Sequence, residues 1–318
     1  MDIIVNLLLF VLGLVALFLG GEGLVRGASR LARIFGISPV VIGLTVVAFG
    51  TSSPEFLVCM IAAFKGSSDL VIGNIVGSNI SNIGLILGVS ALLSPLAIHM
   101  KLVRVEVPIM IVLSLVLYAL ASGLRIGPLQ GAFLFGSLIA FTIYSYYAAR
   151  KESFKVESEF EEFVGPRSGV LKEVGFLILG LIGLIIGARL VVDSAITLAQ
   201  MFGVSEFIIG ITAVAIGTSL PELSTSIVAA LRKEHDIIVG NIIGSNIFNI
   251  GILGLVSIIQ PITVDPALLR FEFPVMIFFT IIVLPLMRTG YRVSKLEGLL
   301  LLLFYGAFIF LLFNPIWL

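Results

Sequence analysis

The sequence predicts an all-α integral membrane fold: ten transmembrane helices arranged as two five-helix repeats of inverted topology. Three observations predict it. Charged residues make up only 12% of the 318-residue chain against 59% hydrophobic, and the mean hydropathy is +1.20. A soluble domain carries about 25% charge, so lipid must be the solvent over most of this surface. Ten segments approach the length of about 20 apolar residues that a spanning helix needs. Finally, the chain repeats itself at an offset of 167 residues.

The expected spans are roughly 3–21, 38–64, 70–94, 104–122, 127–148, 170–192, 205–231, 237–259, 268–287 and 296–314. The first follows Met1-Asp2 with no basic leader and no small-residue cleavage site, so it is read as a helix that stays in place rather than a signal peptide. Between the fifth and sixth lies a polar stretch, 150–169, rich in Lys and Glu. It reads as a solvated linker between a first repeat, 1–149, and a second, 170–318. A calcium-sensing role for its glutamates would lack EF-hand spacing. Lys and Arg set the orientation. The connections after odd-numbered spans hold 15 of the 19, including Arg26, Arg30, Arg33, Lys101, Arg104, Arg232 and Lys233; the others hold Lys65, Arg125, Arg189 and Arg270. The first set, with the linker, is therefore expected in the cytoplasm, and both termini outside, in a multi-pass cell-membrane protein. Net charge is zero, so nothing points to nucleic acid, and one cysteine, Cys59, excludes an internal disulfide.

The repeat is most evident in two motifs. Gly50-Thr51-Ser52-Ser53-Pro54-Glu55 falls on Gly217-Thr218-Ser219-Leu220-Pro221-Glu222, within segments 43–55 and 210–222. Gly73-Asn74-Ile75-Val76-Gly77-Ser78-Asn79-Ile80-Ser81-Asn82-Ile83-Gly84 falls on Gly240-Asn241-Ile242-Ile243-Gly244-Ser245-Asn246-Ile247-Phe248-Asn249-Ile250-Gly251. The paired motif regions are thus about 43–84 and 210–251. An odd number of spans per repeat makes the second copy enter the membrane from the other side, an architecture that places transporter sites near the midplane.

The chemistry of those residues is that of hard-cation binding. Pro54 has no N–H, which is expected to free the carbonyl of Gly50 and loosen those of Ala48 and Thr51. Free carbonyls at membrane depth must line a cavity or bind an ion, and oxygen ligands suit a hard cation. Glu55 and Glu222 would each cost about 2.5–3.5 kcal/mol at a helix centre, and no Lys or Arg shares their spans or the neighbouring motif spans. A bound cation or a proton is then the partner; a pair of merely protonated, hydrogen-bonded glutamates is the bland reading. Ser78 and Asn82, and likewise Ser245 and Asn249, stand four apart on one helix face and are expected to line the site. Asn74, Asn79, Asn241 and Asn246 read as packing or supporting groups, because polar side chains are common glue between membrane helices. The glycines at 20, 21, 23 and 27 and at 180, 183 and 187 form smooth faces on the first and sixth spans, suited either to sliding or to ordinary packing.

These motifs resemble the paired alpha repeats of the calcium/cation antiporter superfamily, in its sodium/calcium exchanger branch, and the resemblance covers essentially the whole chain. It implies exchange of sodium for calcium by alternating access, with no catalytic chemistry and no cofactor beyond the transported ions. It implies that Glu55 and Glu222 ligate the ions and that hydroxyls and carbonyls at Ala48, Thr51, Ser52, Ser78, Ala215, Thr218, Ser219 and Ser245 complete the sites. Some relatives carry an aspartate where this chain has Asn249, including the potassium-dependent branch, so potassium dependence is not expected. Two carboxylates balance one calcium or two sodium ions, and three sodium per calcium, as the resemblance implies, would be electrogenic. Rival readings are a calcium/proton exchanger using the same glutamates and a cation channel; an enzyme would need a nucleophile, base or cofactor motif that is missing. One chain holds both halves of the site, which allows a functional monomer.

Overall fold

The structure is a computed structural model that describes the backbone at residues 3–160, 169–201 and 217–313. It is built from helices: α1 (Ile3–Ile34), α2 (Pro39–Thr51), α3 (Ser53–Phe64), α4 (Ser68–Leu93), α5 (Leu102–Ala121), α6 (Pro128–Phe160), α7 (Val170–Met201), α8 (Leu220–Leu231), α9 (His235–Ile259), α10 (Pro266–Arg288) and α11 (Lys295–Phe313). Among the described residues, eight helices are each long and apolar enough to span a bilayer, and the bent pair α2–α3 makes a ninth. α8 alone is too short. The first half of the expected seventh span, together with Ala215, lies outside the described residues.

Three expected edges move. α1 does not stop near residue 21 but runs to Ile34, because Leu24, Ala28 and Leu31 continue the buried helical stripe past the glycines. Arg26, Arg30 and Arg33 therefore sit on a helix rather than in a loop. α1 ends where Gly36 takes φ +62° and the Ile37 amide reaches back to the Ala32 carbonyl at 2.8 Å, a left-handed stop that glycine adopts without strain. α7 likewise extends to Met201, so Arg189 lies within it. The expected linker begins as helix: residues 150–160 continue α6, since Lys, Glu, Ser and Phe there include no breaker.

α4 and α9 are the enclosed centre, with 78% and 83% of their most apolar stretches buried, against 22% for α1 and 17% for α11. The outer helices expose Leu7, Leu8, Val11, Leu19, Phe133, Leu179 and Leu303, a surface that only lipid would favour. α1 and α7 pack against each other along their glycines. A Cβ added at Gly20 would stand 2.6 Å from the Leu184 nitrogen, at Gly27 2.8 Å from the Glu173 carbonyl oxygen, and at Gly187 2.7 Å from the Leu17 nitrogen. Gly21 instead faces Ser224 and Val228 of α8. At the basic end of α1, Arg30 pairs with the fully buried Glu173 at 3.0 Å, Glu22 with Arg232, and Ser29 donates to Glu234 at 2.8 Å.

The backbone repeats the 167-residue offset of the sequence. Left-handed residues recur as Gly66 and Lys233, and as Leu124 and Tyr291. Two short antiparallel ribbons recur as well, one strand of each at 167 residues and the other at 166. β1 (Leu96–Ala97) pairs with β4 (Arg292–Val293), and β2 (Arg125–Ile126) with β3 (Ile262–Thr263). Leu96 opposes Val293 in one ribbon and Ile126 opposes Ile262 in the other, so each joins a connection of one half to a connection of the other.

Candidate cation site

The second span breaks at Ser52. Its φ of −83° and ψ of 4° leave the helical region, and α2 and α3 meet at a bend of 41°. The corresponding Ser219 has φ −87° and ψ 0° immediately before α8. Pro54 and Pro221 therefore occupy the first turn of a new helix, where a missing N–H costs nothing. The expected loosening of the Ala48 carbonyl is corrected by this geometry: it accepts the Ser52 amide at 3.0 Å and stays in the helical ladder, with the Thr51 hydroxyl 3.5 Å away. Glu55 and Glu222 stand in the first turns of α3 and α8, not in mid-helix. A helix N-terminus favours a carboxylate through its free N–H groups and dipole, which offsets part of the burial cost that the sequence suggests.

Both glutamates are 1% exposed. Their carboxylates act on one another, and Glu55 accepts from the Thr218 hydroxyl. Ser52 donates to Glu222 at 3.2 Å. Contacts between the repeats come in matched pairs: Thr51 bonds to Asn241 at 3.1 Å, and Asn74 bonds to Thr218 at 3.2 Å. Ser219 also reaches Ser78 across the repeats at 3.5 Å, and within α9 Ser245 reaches Asn241 at 3.5 Å. Asn249 donates to Asn79 at 3.0 Å. The structure thus links Thr51, Ser52, Glu55, Ser78, Thr218, Ser219, Glu222 and Ser245 into one buried network between α2–α4 and α8–α9, with Asn249 one turn beyond Ser245. Asn82 is 1% exposed on the Ser78 face of α4.

Within this region Glu55 Oε2, Glu222 Oε2, Asn82 Oδ1 and Asn249 Oδ1 are buried with no hydrogen-bond partner among the described residues. They form two repeat-related pairs of oxygens. An unsatisfied buried acceptor costs about 1–3 kcal/mol, more for a charged one, and a cation removes that cost. Among the described residues no three His, Cys, Asp or Glu groups converge. Two carboxylates among neutral oxygens suit a hard cation rather than a transition metal.

Two features escape sequence reading. α2 carries a π-helical stretch at Gly43–Val47 just before the motif, and α4 carries one at Asn82–Leu87; π-turns concentrate at functional sites, but no residue pattern marks them. Of the asparagines expected as packing or supporting groups, the side chains of Asn74, Asn79 and Asn241 bridge the repeats. Gly240 and Gly244 pack closely on α2: a Cβ on Gly240 would meet the Val40 carbonyl oxygen, and one on Gly244 the Leu44 carbonyl oxygen, each at 2.6 Å.

A multi-pass helical fold with apolar helices turned outward and an acidic, oxygen-lined network at its centre defines an ion transporter of the membrane. The sodium/calcium exchanger protein family matches residues 5–147 and 172–314, one match to each half of the chain. The chain is 38% identical over 96% of its length to a putative antiporter, CaxA, of Alkalimonas amylolytica, covering 98% of that protein. It is 36% identical to the sodium/calcium exchanger MaX1 of Methanosarcina acetivorans, over 98% of this chain and 99% of the relative. A solved structure of the sodium-calcium exchanger NCX_Mj superposes with a TM-score of 0.84 at 31% identity, over 97% of this chain and 99% of the other. The chain belongs to the sodium/calcium exchanger family.

Proposed function

We propose that this protein is a sodium/calcium antiporter working by alternating access, with ten spans in two inverted repeats, 1–149 and 170–318, joined by the cytoplasmic segment 150–169 and with both termini outside. The observation that carries the reading is the set of four buried oxygens, on Glu55, Glu222, Asn82 and Asn249, that have no hydrogen-bond partner among the described residues, beside the cross-repeat bonds Thr51–Asn241 and Asn74–Thr218 that recur at the 167-residue offset. The matched ribbons and left-handed turns support the inverted repeat, since the two ribbons are repeat-related while each joins non-equivalent connections of the two halves, those after spans 3 and 9 and those after spans 4 and 8, which inverted topology puts on the same side of the membrane. The names of CaxA, MaX1 and NCX_Mj support antiport and the choice of ions.

In this reading Glu55 and Glu222 supply two negative charges that one calcium or two sodium ions neutralise. Thr51, Ser52, Ser78, Thr218, Ser219, Ser245, Asn82 and Asn249 supply neutral oxygens, with backbone carbonyls at Ala48 and Ala215. A third sodium leaves one net charge, so each cycle moves charge and responds to voltage by about 2.3 kcal/mol per 100 mV. Amides rather than carboxylates at Asn82 and Asn249 leave no charge for potassium to balance, and potassium at clamped voltage leaves the rate unchanged. α1 and α7, packed on backbone rather than on side chains, are the pair that slides between states. Each chain works as a monomer.

The coupling ion is tested in proteoliposomes. Calcium-45 uptake is expected when the lumen holds sodium and not when it holds choline at the same pH. Uptake driven by an imposed proton gradient without sodium would instead make it a calcium/proton exchanger, and uptake indifferent to the luminal ion would make it a channel.

A further inference from the structure

We infer that Asn79, outside the ligand set above, is a positioning residue that turns the amide of Asn249 so that its oxygen, and not its NH2, faces the cation. The inference rests on the exchanger reading and deepens it. An amide side chain has an acceptor at one end and two donors at the other. For a cation ligand the difference is that between attraction and repulsion, and it is decided by whichever neighbour takes the NH2.

Here the neighbour is fixed by a relay that starts at an atom with no donor form. The backbone carbonyl of Asn246 can only accept, and it takes Asn79 Nδ2 at 3.4 Å. The same nitrogen lies 3.9 Å from Met276 Sδ, also an acceptor. The NH2 of Asn79 is therefore committed, and its Oδ1 is turned the other way, where it accepts Asn249 Nδ2 at 3.0 Å. Asn249 Oδ1 is left buried and unpartnered, one helical turn from Ser245. Turning over either amide would set two donors or two acceptors face to face. Asn79 and Asn249 are each 1% exposed, so bulk water is not a substitute partner.

The relay is single. Asn246 stands at the repeat-related position to Asn79, yet neither polar atom of its side chain has a partner among the described residues. Asn79 therefore serves Asn249 alone, and the two halves of the site are not held alike.

The test uses Asn79→Leu in two backgrounds, the native chain and Asn249→Asp. A carboxylate presents oxygen whichever way it turns and needs no relay. The readout is the calcium concentration that half-saturates sodium-driven calcium-45 uptake, on protein shown to be monodisperse. Asn79→Leu is expected to raise it about tenfold in the native chain and by less than about twofold with Asn249→Asp, a size too small for a lost buried hydrogen bond. Asn79→Ser, too short to reach Asn249, is read in the same way should the leucine variant not fold. A similar rise in both backgrounds makes Asn79 a packing residue and overturns the inference, as does no rise in the native chain. Absence of sodium-driven uptake in the unsubstituted protein is a separate result: it overturns the exchanger reading itself.

Discussion

Replacing Gly20 by alanine tests whether α1 and α7 meet on bare backbone. The new methyl would lie 2.6 Å from the Leu184 nitrogen, 2.8 Å from the Gly180 oxygen and 2.9 Å from the Gly183 carbonyl carbon. All three are backbone atoms and none can swing aside. Restoring even a tight 3.4 Å contact parts the helices by about 0.8 Å, and a gap of that size forfeits a quarter to a half of the dispersion energy along the seam. Overpacking of this kind costs about 1–3 kcal/mol. Gly175→Ala, on α7 with no atom of the described residues within 4 Å of its added Cβ, gains up to about 1 kcal/mol from helix propensity. The two variants should differ by about 2 kcal/mol, which at roughly 2–4 °C per kcal/mol is about 4–8 °C in a detergent melt. Sodium-driven uptake should also fall in Gly20→Ala and not in Gly175→Ala. Equal melting shifts for the two would refute backbone contact between α1 and α7.

Three further outcomes follow from the same geometry. Arg30→Met removes a 3.0 Å ion-pair contact to the fully buried Glu173 and is expected to cost about 1.5–3 kcal/mol, the size of a hydrogen bond to a charged group, whereas Arg33→Met, which loses an exposed 3.5 Å pair with Glu234, should cost under about 1 kcal/mol; equal melting temperatures would contradict the burial of that pair. Lys233 holds φ +59° where the first repeat has Gly66, so Lys233→Gly should stabilise the protein by up to about 1 kcal/mol, and a lower melting temperature would show the turn to be unstrained. Cys59, fully buried between α3 and α4, should resist a maleimide mass tag until the protein is denatured; complete labelling of native protein would place α3 elsewhere.

Much of this was legible because lipid and repetition simplify the reading. Long apolar runs mark spans without any need for periodicity, and a motif that appears twice in one chain singles out Glu55 and Glu222 without other sequences. The end of α1 was not legible, because hydropathy falls at Glu22 and Arg26 while Leu24, Ala28 and Leu31 carry the helix onward. The proline in each motif signals a break but not its place: Pro54 fits a kinked helix and the first turn of a new one equally, and only the dihedrals of Ser52 decide. Least legible were the amides. Asn74 and Asn79 occupy similar sequence contexts, yet one bonds Thr218 and the other Asn249, a distinction that depends on which helix of the other repeat stands opposite.

The central claim is that Glu55 and Glu222 together form one cation site. It is tested most directly by sodium-driven calcium-45 uptake in Glu55→Gln and Glu222→Gln beside the unsubstituted protein, with melting temperature measured on each. Loss of uptake in both variants, with melting temperature unchanged or raised because a buried charge is gone, is the predicted result. Uptake that survives in either variant would contradict a site shared by the two carboxylates.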